Sequence, residues 1–171
     1  MNAKWRSEES TNFRILNIIK SLSNERTIGR KQLAFLIEEE GGGEKFGYYL
    51  NTEVIEKRDE YGFYKLTETD NNSFLFNLES NGSLEIPMIF EIIDTEYGVY
   101  KLWDKSDAYF IWLGNIWLMK ENNKNEPYCC QDDKRFEYHG IENALCGKEP
   151  ERPLFGGMIF TPKRILVIQM K

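Results

Sequence analysis

The chain has 171 residues, 22 Lys plus Arg against 28 Asp plus Glu, and a formal net charge of −6. That length fits one domain spanning 1–171, and the acidic balance disfavours general attraction to nucleic acid or to an anionic membrane. No apolar run approaches the roughly 18 residues of a membrane helix, and the opening MNAKWRSEES lacks a signal-peptide core.

No transmembrane segment is therefore expected. The expected location is cytoplasmic, with a nuclear site or peripheral membrane association through a protein partner as alternatives. The three cysteines, Cys129, Cys130 and Cys146, are odd in number and include an adjacent pair. That is a poor disulfide framework and suits a reducing compartment. Aromatic residues make up 14% of the chain and are spread along it, as a packed β-rich core requires.

Taken in order, Thr11 or Asn12 can cap a helix starting at Phe13. Its apolar stripe is Phe13, Leu16 and Ile19, broadened by Ile15, Ile18 and Leu22, and it ends near Ser23-Asn24. Its expected role is to cover a sheet. Residues 33–37, LAFLI, read as a strand. EEEGGGEK then supplies a turn, and 46–50 resume an extended pattern, which predicts a hairpin. The triple glycine is not a phosphate loop: the GxxxxGK[ST] spacing is absent and Glu44 would oppose phosphate.

Residues 51–72 form a polar excursion that could carry a short helix over 53–59. A strand follows at 73–78, with a turn at 79–82 and a β segment over 84–93 whose early part Pro87 confines to an edge or bulge. Another turn at 94–98 precedes a strand at 99–103. The densest apolar run is 108–120, AYFIWLGNIWLMK. Tyr109, Ile111 and Leu113 can point one way and Phe110 and Trp112 the other. This predicts a core strand pair covered on both faces, with Gly114-Asn115 as a hairpin turn or a bulge. A fully packed Trp112 would cost about 3–5 kcal/mol on replacement by Ala. After a loop at 121–127, short apolar pieces at 128–131 and 136–138 sit among charges. A loop at 148–153 and a strand at 155–160 follow, and Pro162 allows a final strand over 165–170. Short strands separated by turns favour a sandwich or barrel over a doubly wound fold, which needs long crossover helices.

The residues that could carry chemistry are few. His139 with Cys129, Cys130 and Cys146 nominally supplies four zinc-compatible ligands, but adjacent cysteines do not follow the C-x₂₋₄-C spacing of such sites. A Cys–His nucleophilic pair has no recognisable nucleophile element around it. Asp132-Asp133 and Glu38, Glu39 and Glu40 read as solvated charge, lacking an EF-hand or HExxH framework. Lys163-Arg164 is weak as a phosphate contact. No residue is assigned as catalytic, cofactor-binding or metal-binding, and no cofactor is expected.

The order of the pieces resembles a TLDc domain, closest to a minimal, divergent protist-type member. The likeness runs from Trp5-Arg6-Ser7, ahead of the Asn12-Phe13 helix start. It continues through 33–37 and Phe46-Gly47-Tyr48-Tyr49 to the aromatic strand Ser73-Phe74-Leu75-Phe76-Asn77-Leu78. From there it reaches Leu113-Gly114-Asn115-Ile116-Trp117-Leu118 and the final strand. The resemblance implies a predominantly β fold with flanking α-helices, a two-sheet antiparallel β-sandwich. It also implies a protein-interaction domain associated with oxidative-stress protection, with subunits of the vacuolar proton-pumping ATPase as partner, and no catalytic residue carries over from it. Two other function classes stay open: a cysteine-dependent redox or hydrolytic enzyme, and a nucleic-acid-binding regulatory module, against which the net charge counts.

Overall fold

The computed structural model describes residues 27–56, 60, 67–68, 70–79, 86–93, 99–102, 109–119, 129–132 and 157–170. The strands are β1 (Leu33–Glu39), β2 (Lys45–Leu50), β3 (Thr67–Glu68), β4 (Phe74–Glu79), β5 (Met88–Glu91), β6 (Val99–Leu102), β7 (Tyr109–Leu113), β8 (Ile116–Met119), β9 (Cys129–Asp132), β10 (Gly157–Phe160) and β11 (Pro162–Gln169).

Alternation explains the first hairpin. In β1, Leu33, Phe35 and Ile37 are buried, while Ala34, Leu36 and Glu38 are only partly so. Its register sets Leu33, Phe35 and Ile37 opposite Leu50, Tyr48 and Phe46 of β2, which puts six large side chains on one face. The final strand β11 pairs along the other side of β1, from Leu33↔Gln169 to Glu38↔Arg164. β4 joins β2, and β5 joins β4, giving a five-stranded antiparallel sheet in the order β11-β1-β2-β4-β5. Gly47 marks the tightest point of this sheet. A Cβ there would collide with the Phe35 carbonyl oxygen and approach the Phe76 ring tip at 2.7 Å, so the strand needs glycine for close approach.

A second antiparallel ladder runs β10-β9-β8-β7-β6-β3. Its β7–β8 hairpin closes through Gly114-Asn115, with Leu113 paired to Ile116. Gly114 has φ +58°, the left-handed value that a two-residue turn with glycine in its first position requires. Gly114-Asn115 is therefore a turn; the bulge lies at Phe110, where the register shifts between Tyr109 and Ile111. The ladders meet where β10 passes through Thr161 into β11. There Phe160 stands edge-on to Phe46 at 4.9 Å, and Ile111, Leu113, Ile116 and Leu118 share one core with the first sheet.

Several expectations are corrected. The helix-flanked, TLDc-like two-sheet sandwich is not the architecture found: among the described residues the regular elements are all strands, with no helix flanking the five-stranded antiparallel sheet. The helix expected from Phe13 lies outside the described residues, as do the piece at 136–138 and the loop at 148–153. The short helix over 53–59 is not formed in its described part. Val54 is instead held against the start of β1: Gly29 N–H donates to the Val54 carbonyl at 2.7 Å and Val54 N–H to that of Arg30 at 2.8 Å. Trp112 is half-buried beside the core, so the cost of its removal falls below the range for a fully packed tryptophan. The common reason is that periodicity tells which side of a segment is apolar, not what the tertiary structure lays over it.

Candidate functional site

The acidic run in the first hairpin is structural. Across the sheet, Glu38 lies opposite Arg164, and its side chain is 12% exposed. It accepts from Lys163 Nζ at 2.8 Å and Arg164 Nε at 2.6 Å. The Lys163 bond is the largest influence and lowers the Glu38 pKa; burial pulls the other way, and Arg164 adds to the lowering. Glu39 is buried and accepts from the Gly42 N–H, folding back over its own turn. Of the three, only Glu40 is exposed. Glu38 and Glu39 are thus not solvated charge, and Lys163 and Arg164 are engaged with a carboxylate.

A second polar group had no sequence signal beyond turn composition. Asp70 accepts from Asn51 Nδ2 at 2.6 Å, the Asn72 N–H at 3.1 Å and Ser73 Oγ at 3.3 Å, and Ser73 Oγ accepts the Asn51 N–H at 3.0 Å. Burial alone would raise the Asp70 pKa, yet the donors from Asn51, Asn72 and Ser73 outweigh it and hold the carboxyl below its ordinary value. Beside it, burial first and the Asp70 charge second push the Tyr49 phenol upward. The group ties the end of β2 to the start of β4, and each side chain in it already has a partner within it.

The cysteines divide. Cys129 and Cys130 occupy successive positions in β9, registered opposite Phe160 and Ile159 of β10. His139, Cys146 and Asp133 lie outside the described residues, and Asp132 ends β9. Among the described residues, no three His, Cys, Asp or Glu side chains gather to hold a metal ion.

The feature that stands out is apolar. Leu78, Ile86, Met88, Ile89 and Ile93 are exposed by 42%, 70%, 38%, 60% and 47%, and all lie in or beside β4 and β5; among the described residues only Ile55 is a comparable case elsewhere. The reason is topological. β5 is the last described strand of its sheet, and its buried side consists of Phe90, opposite Leu75, with Ile92 packed against the core just beyond. Within the strand Ile89 and Glu91 face outward and stay exposed, Met88 at its start is exposed as well, and Ile93 is exposed at the bend beyond it. Individually exposed aliphatics are ordinary; several gathered in and beside two neighbouring strands are less so, and Leu78 and Ile89 lie diagonally across the β4–β5 pairing on one face. The sequence announced the edge through Pro87, which sits just before β5, but not the exposure.

Among the described residues, no helix is long and apolar enough to cross a membrane. No protein-family model matches the chain. No curated protein matches it either.

Proposed function

We propose that this chain is a protein-interaction module whose contact surface is the β4–β5 margin of the five-stranded sheet. The observation that carries this reading is the collection of Leu78, Ile86, Met88, Ile89 and Ile93 at that margin, all exposed. Fully burying one aliphatic side chain of this size is worth roughly 1.5–3 kcal/mol. A partner covering several of them therefore gains enough to offset part of the cost of association. The polar groups described above are engaged in holding strands together, which leaves this margin as the described surface with binding capacity to spare.

The TLDc resemblance names the first partner to try, subunits of the vacuolar proton-pumping ATPase, in keeping with an oxidative-stress role. The test is a pull-down followed by direct binding of purified components, with the footprint on this chain mapped by hydrogen exchange. Protection of β4 and β5 supports the reading. Protection confined to other strands removes this surface, and no direct binding at low or physiological salt removes the pump as partner.

A further inference from the structure

We infer that Thr161 is a phosphorylation site, the acceptor for a protein kinase that requires proline directly after the hydroxyl residue and selects basic residues beyond it. The inference stands apart from the contact surface proposed above. Thr161-Pro162-Lys163-Arg164 has that order, and of the chain's five prolines only Pro162 follows a serine or threonine. The order has a physical reading. Proline has no backbone N–H, so a kinase cleft without an acceptor at that point takes proline and leaves any other residue with an unpaired donor. A basic side chain further on meets carboxylate or phosphate groups of the enzyme.

The fold presents this segment at a joint. Thr161 is exposed and is the single residue between β10 and β11. Each of these strands stands at one end of the described strand order of its ladder. The side chains of Lys163 and Arg164 are 61% and 53% exposed, and ion pairs so close to solvent are readily exchanged for a partner's groups. Pro162 is buried, and the Glu40 N–H ties down the Thr161 carbonyl at 2.9 Å. The kinase therefore acts on a form in which the joint lifts locally, an opening that costs least where few neighbours hold the chain. In the step itself the Thr161 hydroxyl oxygen bonds to the γ-phosphorus of ATP. The bond from that phosphorus to the bridging oxygen breaks, ADP leaves, and the hydroxyl proton passes to a carboxylate of the kinase. The product carries about −1.5 to −2 charge at pH 7. It stands next to Lys163 and Arg164 in the chain and competes for them with Glu38, so it loosens the ion group that joins β11 to β1.

The test incubates the full chain with a purified kinase of this specificity, magnesium and ATP, and locates the product by mass spectrometry. A synthetic peptide of residues 157–169 shows in parallel that the kinase is active. A single phosphate is expected, on Thr161, and Thr161→Ala should take up none there. Thr161→Ser should still be modified, which separates loss of the hydroxyl from loss of the fold. Pro162→Ala and Arg164→Gln should each lower kcat/KM at least about tenfold. In the phosphorylated chain the Glu38 carboxyl, followed by carbon NMR, should titrate at higher pH than in the unmodified chain. Labelling of the peptide but not of the folded chain, labelling at another residue, or rates unchanged by Pro162→Ala overturns the site. Labelling at Thr161 with the Glu38 titration unmoved overturns its action on the ion group.

Discussion

Strands β1 and β5 belong to the same antiparallel sheet and both carry large apolar side chains, yet they meet opposite environments. β1 is paired on both sides, by β11 and β2, and its Leu33, Phe35 and Ile37 are no more than 1% exposed. β5 has a described neighbour on one side only, and Ile89 within it is 60% exposed. Side-chain type does not separate them. The face comes first, since Phe90 on the core side of β5 is 2% exposed; position in the sheet adds to it, because Leu36 on the other face of β1 is still partly buried whereas Ile89 is not. A strand with two neighbours gains cover from both and can spend its apolar residues on the core. An edge strand keeps a free margin, so the same residues stay available for contact.

That contrast can be broken from either end. The largest effect is expected for Phe35→Ala, which removes a fully buried ring from the middle of β1 and should cost about 3–5 kcal/mol in chemical denaturation. A cost under about 1 kcal/mol would mean that β1 is not the centre of the core. Next comes Gly47→Ala, whose new Cβ meets the Phe35 carbonyl oxygen. Overpacking of this kind costs about 1–3 kcal/mol or more. Because the obstacle is backbone, shortening the other neighbour with Phe76→Leu should not rescue it; rescue would place the clash in the side chain instead.

Smaller effects probe the ties around the central strands. Asp70→Asn weakens a carboxylate acceptor with several donors and should cost about 1–2 kcal/mol at neutral pH. Both Asp70 and Glu38 have carboxyls held below their ordinary values in the folded chain. Their contribution is therefore complete above the unfolded pKa of about 4 and is lost as pH falls through the lower folded values. Stability measured down the acid range should decline less steeply in Asp70→Asn than in the native chain; identical slopes would argue that the Asp70 bonds do not form in solution. The smallest effect is expected for Ile89→Ser, within about 0.5 kcal/mol by denaturation, while binding to a β4–β5 partner weakens clearly. A large loss of stability in this variant would show that Ile89 is covered within the chain.

The strands were legible wherever alternation was strong. LAFLI and FGYYL gave the first hairpin, SFLFNL the strand beside it, and the closing apolar run the partner on β1's other side. Pro87, read as setting the early part of its segment on an edge or at a bulge, stands just before β5, the last described strand of its sheet. Less was legible where meaning depended on what lay across the sheet. Glu38 looked like one of three solvated acids until register placed Arg164 opposite it. Trp112 looked like core because its stretch is apolar on both sides, but the face shared by Ile111 and Leu113 takes the buried position. The segment at 53–56 had no periodicity to reveal that Val54 would bridge back to Gly29 and Arg30.

By itself, then, the sequence determined where the chain extends, where it turns and which side of each strand is apolar, because these follow from a two-residue repeat and from local backbone preferences. Only the tertiary structure decided strand order, and with it the difference between β1 and β5. Burial and exposure of the same apolar residues depend on which face they occupy and on how many neighbours the strand has, and both are settled by partners far away in the chain: β11 for β1, and no described strand for the far side of β5.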